Sequence, residues 1–267
     1  METIYYTKTS VGYSHLRSGK ICQDFSASYH DEERTIVTAC DGHGGRLYVR
    51  SHLGSKFASK AIMQVFSELK GSDFHRYTAG EIAEKLRLQI LCAWNGMVER
   101  GCSEEPIRRK ECRLLSEQEE MQLKLNSAKA YGTTLNGVMV LGDKLVCASL
   151  GDGGIFLLRG EEILPAFPEP DEEETVANIT YSMCQEDAYK HLKTAIFDVS
   201  EVDGALLCTD GVINPYRNLA NFNVSFVRPI CKLAREEQLS EIGKFVVQLG
   251  TKIGIGDDVS LGLILKR

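Results

Sequence analysis

The run TLNGVMVLGDKLVCASLGDGGIFLLR, Thr134 to Arg159, holds three apolar stretches broken only by Gly142-Asp143 and by Gly151 to Gly154. Short apolar runs bounded by glycine and aspartate read as strands, and turns this tight join antiparallel neighbours. The spacing predicts strands over Thr134–Leu141, Lys144–Leu150 and Gly154–Arg159, arranged as an antiparallel meander. Outward from this run, further strand-like segments cover Arg34–Cys40, Thr194–Val199, Ala205–Cys208 and Val259–Leu265. Three segments carry a helical period instead. They are Ser51–Leu69; about Thr78–Val98, with Ile82, Leu86, Ile90, Trp94 and Met97 on one stripe; and about Glu236–Leu249, stopped by Gly250. Thr78 and Glu81 have the spacing of a capping box at the start of the second.

No internal repeat and no clean boundary divides the chain. The economical reading is one α+β domain over residues 1–267, with helices covering antiparallel sheet. The charged stretch 100–130 reads equally as a surface helical insertion or a mobile loop. The polar stretch Pro165–Glu174 reads as a solvated acidic loop. Composition is that of an ordinary globular protein, 43% hydrophobic and 25% charged. A net charge of −6 argues against a nucleic-acid partner, which would normally meet a basic face. The 9 cysteines are odd in number, scattered and free of any CxxC pair, which indicates reduced thiols and a cytoplasmic setting. Neither a signal peptide nor a membrane-length apolar run is visible, so no membrane partner is expected.

Four acidic positions share one local grammar: Asp41 in CDGHGG, Asp152 in LGDGG, Asp210 in CTDGV and Asp257 in GIGDDVS each stand beside a glycine or a second acid at a strand end. Any single Asp-Gly is more often a turn than a ligand. Gathered at one end of a core, however, carboxylates repel one another and lose hydration, and they then require a cation. An all-oxygen set suits Mg²⁺ or Mn²⁺ rather than zinc. The glycines let the main chain approach closely, which makes the Gly42 carbonyl a candidate ligand.

The successive motifs CDGHGG (Cys40–Gly45), YGTTL (Tyr131–Leu135), SLGDGGIFLL (Ser149–Leu158), LLCTDGV (Leu206–Val212) and GDDVSLGLI (Gly256–Ile264) resemble those of the type 2C metal-dependent serine/threonine protein phosphatases. The early motif, Ser14, His15, Cys22, Gln23 and Asp24, is similar to the compact bacterial branch. The resemblance implies an α-β-β-α sandwich of two antiparallel sheets flanked by helices, with two Mn²⁺ or Mg²⁺ ions at one edge and a third, weaker metal position. By position, Asp41 would bridge two metals, the Gly42 carbonyl would bind one, Asp210 and Asp257 would complete the other, and Asp152 would serve the third. Asp24 would hold a metal-bound water and His43 would protonate the leaving alkoxide. The implied reaction is in-line attack of a metal-bridging water on a phosphoserine or phosphothreonine protein, with a paired Ser/Thr kinase as a further candidate partner. Chemistry agrees with these roles: two cations neutralise a phosphate dianion, and imidazole can carry a proton near neutral pH.

Two departures from the pattern stand out. Many relatives have glutamate where this chain has Gln23, an amide that can still hydrogen-bond a metal-bound water but brings no charge. Many also have a phosphate-clamping arginine where this chain has Gly19, leaving His15 and Arg17 as candidate substrate-binding cations, with Lys20 and Arg46 nearby. Alternatives on the same fold are a weak or inactive phosphoprotein-binding module and a small-metabolite phosphatase.

Overall fold

The computed structural model describes residues 2–167 and 180–267. The chain begins with β1 (Thr3–Ser10), α1 (Tyr13–Ser18), β2 (Phe25–His30) and β3 (Arg34–Cys40), then passes through α2 (Ser51–Glu68), α3 (Asp73–Arg76), α4 (Ala79–Glu104) and α5 (Glu117–Leu125). The middle is β4 (Leu135–Leu141), β5 (Lys144–Leu150), β6 (Gly154–Arg159) and β7 (Glu162–Pro165). After them come α6 (Ala188–His191), β8 (Lys193–Asp198), β9 (Gly204–Cys208), α7 (Asp210–Ile213), α8 (Leu219–Phe222), α9 (Arg228–Arg235), α10 (Leu239–Leu249) and β10 (Val259–Lys266).

The strands form two antiparallel sheets of five, ordered β1-β10-β9-β6-β7 and β2-β3-β4-β5-β8. β3 shows how one strand serves two layers. Val37 and Ala39 point into the core between the sheets, where they join Val138, Leu145, Ile155, Leu207 and Ile264. Ile36 and Cys40, of the opposite parity, point to a second core with Ala58 and Ile62 of α2 and Ile90 and Trp94 of α4. On the far side, Ile230 of α9 and Ile242 and Val246 of α10 cover Leu206, Leu261 and Leu263. The result is the α-β-β-α sandwich that the resemblance implies. Apolar burial on both faces of each sheet explains why the central strands read as continuous rather than alternating apolar runs.

The expected meander is half right. β4 and β5 pair, but β6 leaves their sheet and pairs with β7 and β9 in the other. Gly151 makes the crossing possible, since its φ of +107° is open to glycine and strained for other residues. The free side of β5 is taken by β8 instead.

The capping box of α4 is present, and the helix runs past Val98 to Glu104. A second capping box, Ser116 with Glu119, starts α5, so much of the charged 100–130 stretch is helical. Leu123 and Tyr131 anchor it in the core. The last predicted helix starts later than the sequence suggests. Glu237 has φ 58° and interrupts the chain between α9 and α10. Of the acidic loop Pro165–Glu174, the part beyond Phe167 lies outside the described residues. All 9 cysteines are free thiols. Among the described residues no helix is long and apolar enough to cross a membrane.

Candidate metal centre

Five strand ends deliver acids to one edge of the sandwich. Asp41 follows β3 and Asp152 follows β5 in one sheet, while Asp210 follows β9 and Asp257 precedes β10 in the other. Asp24 precedes β2. Carboxylate oxygens of Asp41, Asp152 and Asp210 lie within 4.8 Å of one another. The stacking of the two sheets makes this possible, so that Asp41 and Asp152 meet Asp210 across the sandwich. Asp257 stands outside this close trio, yet its charge acts on both Asp41 and Asp210.

Asp24 lies deepest, 6% exposed. Its Oδ2 accepts from Thr209 Oγ1 at 2.8 Å, while its Oδ1 has no partner. Burial first, and the neighbouring Asp41 second, push its pKa well above the usual carboxylate range. Burial and the charge of Asp210 push Asp41 up to about 7. Asp210 is raised by burial and then by Asp152 and Asp257. A buried, unpartnered carboxylate oxygen beside a group of mutually repelling acids is an arrangement that a hard cation relieves, and the donors are all oxygen. The residues fit a divalent metal.

Gly42 shows why this loop tolerates no side chain. A Cβ there would lie 2.6 Å from the Gln23 carbonyl oxygen and 2.7 Å from that of Ser51. Its N–H donates to the Gln23 carbonyl at 3.1 Å, and among the described residues no backbone N–H donates to its own carbonyl. His43 is fixed by its main chain, with its N–H donating to the Gly132 carbonyl at 3.1 Å, and by Tyr48, whose ring centroid lies 4.9 Å away. Burial lowers its pKa, and the charge of Asp152 opposes that shift.

Gln23 sits beneath this loop. Its Nε2 donates to the His43 carbonyl at 3.1 Å and to Ser51 Oγ at 2.5 Å, contacts that a glutamate carboxylate would not make in the same way. Its Oε1 is buried without a partner. Of the candidate substrate cations, His15 is buried and its Nδ1 meets Asp258 Oδ2 at 2.8 Å, whereas Arg17 is exposed. Arg46 reaches Glu119 of α5 at 3.4 Å. Beside the centre, Thr180 Oγ1 donates to Asp152 Oδ2, and Met183 N donates to the Thr133 carbonyl at 2.9 Å.

Three supporting residues escaped the sequence reading. Thr209 holds Asp24, and Asp258 accepts from Gly12 N, Gln23 N and His15. Buried Arg50 spans Glu111 and Tyr131. Thr209 and Asp258 flank motif acids, which is the only local signal they give; Arg50 gives none.

Residues 11–246 match the family model described as protein phosphatase 2C. Solved structures share the fold. The serine/threonine phosphatase of S. agalactiae is 18% identical with TM-score 0.60, covering 100% of this chain and 100% of that one. Serine/threonine phosphatase Stp1 from Staphylococcus aureus is 15% identical with TM-score 0.59, covering 100% and 96%. The catalytic domain of serine/threonine protein phosphatase PstP, in complex with 2 manganese ions, is 17% identical with TM-score 0.57, covering 98% and 97%. No curated protein sequence matches the chain.

Proposed function

The chain belongs to the protein phosphatase 2C family, and on that premise we propose that it is a metal-dependent phosphatase of phosphoserine and phosphothreonine proteins, acting as one catalytic domain over residues 1–267. The observation that carries this reading is the convergence of Asp41, Asp152 and Asp210 oxygens within 4.8 Å, next to the unpartnered Oδ1 of Asp24. Asp41, Asp210, Asp257 and the Gly42 carbonyl would hold two Mn²⁺ or Mg²⁺ ions, with Asp152 serving a third. Such ions supply charge neutralisation for the phosphate and a more acidic water. The chain's own residues do the rest. Asp24, fixed by Thr209, orients a hydrogen bond at the floor of the site. His43, packed on Tyr48, gives a proton to the serine or threonine oxygen as its bond to phosphorus breaks. Main-chain ties from Gly42 and Gln23 hold both groups in place before substrate arrives.

The unpaired thiols favour a reducing, cytoplasmic compartment. The binding-module alternative loses support because every acid of the centre and His43 are present. The test is phosphate release from an aryl phosphate and a phosphothreonine peptide after chelation. Added Mn²⁺ restores release from both; no release at any Mn²⁺ concentration contradicts the hydrolytic reading.

A further inference from the structure

The rim made by α1 and the loop leading to Asp257 exposes a group of large apolar side chains. Leu16, Ile21 and Ile253 are 63%, 66% and 94% exposed, with Tyr13 at 36% and Ile255 at 40%. Single exposed apolar residues need no explanation, but a concentration of them on adjoining segments points to an interaction site. The segments are joined by main-chain bonds. Tyr13 N donates to the Gly250 carbonyl at 2.8 Å and Ser14 N to the Gly256 carbonyl at 2.9 Å. Asp258 ties the same platform from below through Gly12 N at 2.7 Å and His15 at 2.8 Å. The apolar side chains are therefore presented by a braced surface rather than by a free loop.

The same rim carries exposed Arg17, Lys20 and Lys252. Among the described residues none of the three is held in an ion pair. Three free cations beside exposed aliphatic side chains run against the balance of a chain whose net charge is −6. The rim is also continuous with the centre: the loop ends at Asp257, and Lys20 to Asp24 leads from α1 into the acid beneath it. A phosphorylated residue seated at the centre would bring the neighbouring residues of its own chain against this surface.

We propose that the rim formed by α1 and the Ile253 loop docks the phosphoprotein substrate, recognising aliphatic residues interspersed with carboxylates beside the phosphorylated serine or threonine. This rests on the hydrolytic reading above. Aliphatic contacts would supply the affinity, and the cations would select and steer an acidic partner.

The test compares two fluorescent phosphothreonine peptides, one with leucine, isoleucine and aspartate beside the phosphothreonine and one with serine and glycine there. Anisotropy and hydrolysis are measured with wild type and with the double variant Leu16→Ser/Ile253→Ser. Wild type prefers the aliphatic, acidic peptide, and the variant binds it at least about tenfold more weakly. KM for that peptide rises accordingly, while kcat and the turnover of an aryl phosphate stay unchanged. Equal binding of both peptides by wild type overturns the proposal, and so does equal affinity in the variant. A parallel loss on the aryl phosphate overturns it too, by showing a merely structural rim. Loss of sedimentation with phosphatidylserine vesicles, with peptide affinity kept, assigns the rim to a membrane surface instead. Should wild type hydrolyse nothing, the phosphatase reading fails by itself, and the anisotropy contrast still decides the docking.

Discussion

His43 is restrained at its amide by Gly132, at its carbonyl by the Gln23 side chain, and at its ring by Tyr48. A group held so closely can matter only for substrates that need what it supplies, a proton on the departing oxygen. His43→Ala should therefore lower kcat on a phosphothreonine peptide by about 10²–10⁴-fold, the usual worth of general acid catalysis, and spare aryl phosphates, whose leaving group departs unprotonated. Equal losses on both substrates would contradict the acid role. The sequence made this residue legible because acid, histidine and three glycines crowd into six positions, CDGHGG. It could not show that Gln23 is committed to His43 and Ser51, because those bonds join residues 20 and 28 positions apart. Nor could it show that His15, read as a substrate cation, is occupied by Asp258, some 243 residues away.

Among the elements, the stretch from α4 to β4 contributes most that the sequence left open. Its charge suggested surface, yet Arg50, 3% exposed, ties it to the loop that follows His43. Arg50 Nε and Nη2 meet the two oxygens of Glu111 at 2.7 and 3.0 Å, and Nη1 donates to Tyr131 Oη at 2.8 Å. Arg50 is buried while Glu111 keeps part of its carboxylate in water, so the cost is that of the lost charged hydrogen bonds and the Tyr131 contact. Arg50→Ala should cost about 1.5–3 kcal/mol in denaturant unfolding. Arg50→Lys should recover only part of that, because an ammonium cannot reproduce the forked contact. A loss within about 0.5 kcal/mol, typical of surface substitutions, would show the tie to be incidental. Strand existence was legible along the whole of Thr134–Arg159, since apolar runs and glycine turns are local signals. Sheet membership was not. Whether β6 pairs with β5 or with β9 depends on the left-handed turn at Gly151 and on which edge β8 occupies, and neither is written in a hydrophobic pattern.

At the scale of the molecule, the centre spans the two sheets: Asp41 and Asp152 come from one, Asp210 and Asp257 from the other. Without a cation, their mutual repulsion opposes the stacking of the sandwich; with one, the same acids bind the sheets together. The carboxyl of Asp41 is raised from 3.8 to about 7 by burial and by Asp210. A carboxyl raised in the folded state favours folding when protonated. That contribution is complete below the unfolded value and is lost as pH rises through the folded one. Metal-free protein should accordingly lose stability between about pH 4 and pH 7 relative to an Asp41→Asn variant.

The most direct measurement is thermal unfolding of chelator-treated protein across this pH range, with and without Mn²⁺. The predicted result is a Mn²⁺-dependent rise in Tm of about 5–10 °C near pH 7.5, at about a hundredfold excess over the dissociation constant, fading toward acid pH as the carboxylates protonate. A Tm indifferent to Mn²⁺ at every pH would contradict the assignment of these acids as a divalent-cation site.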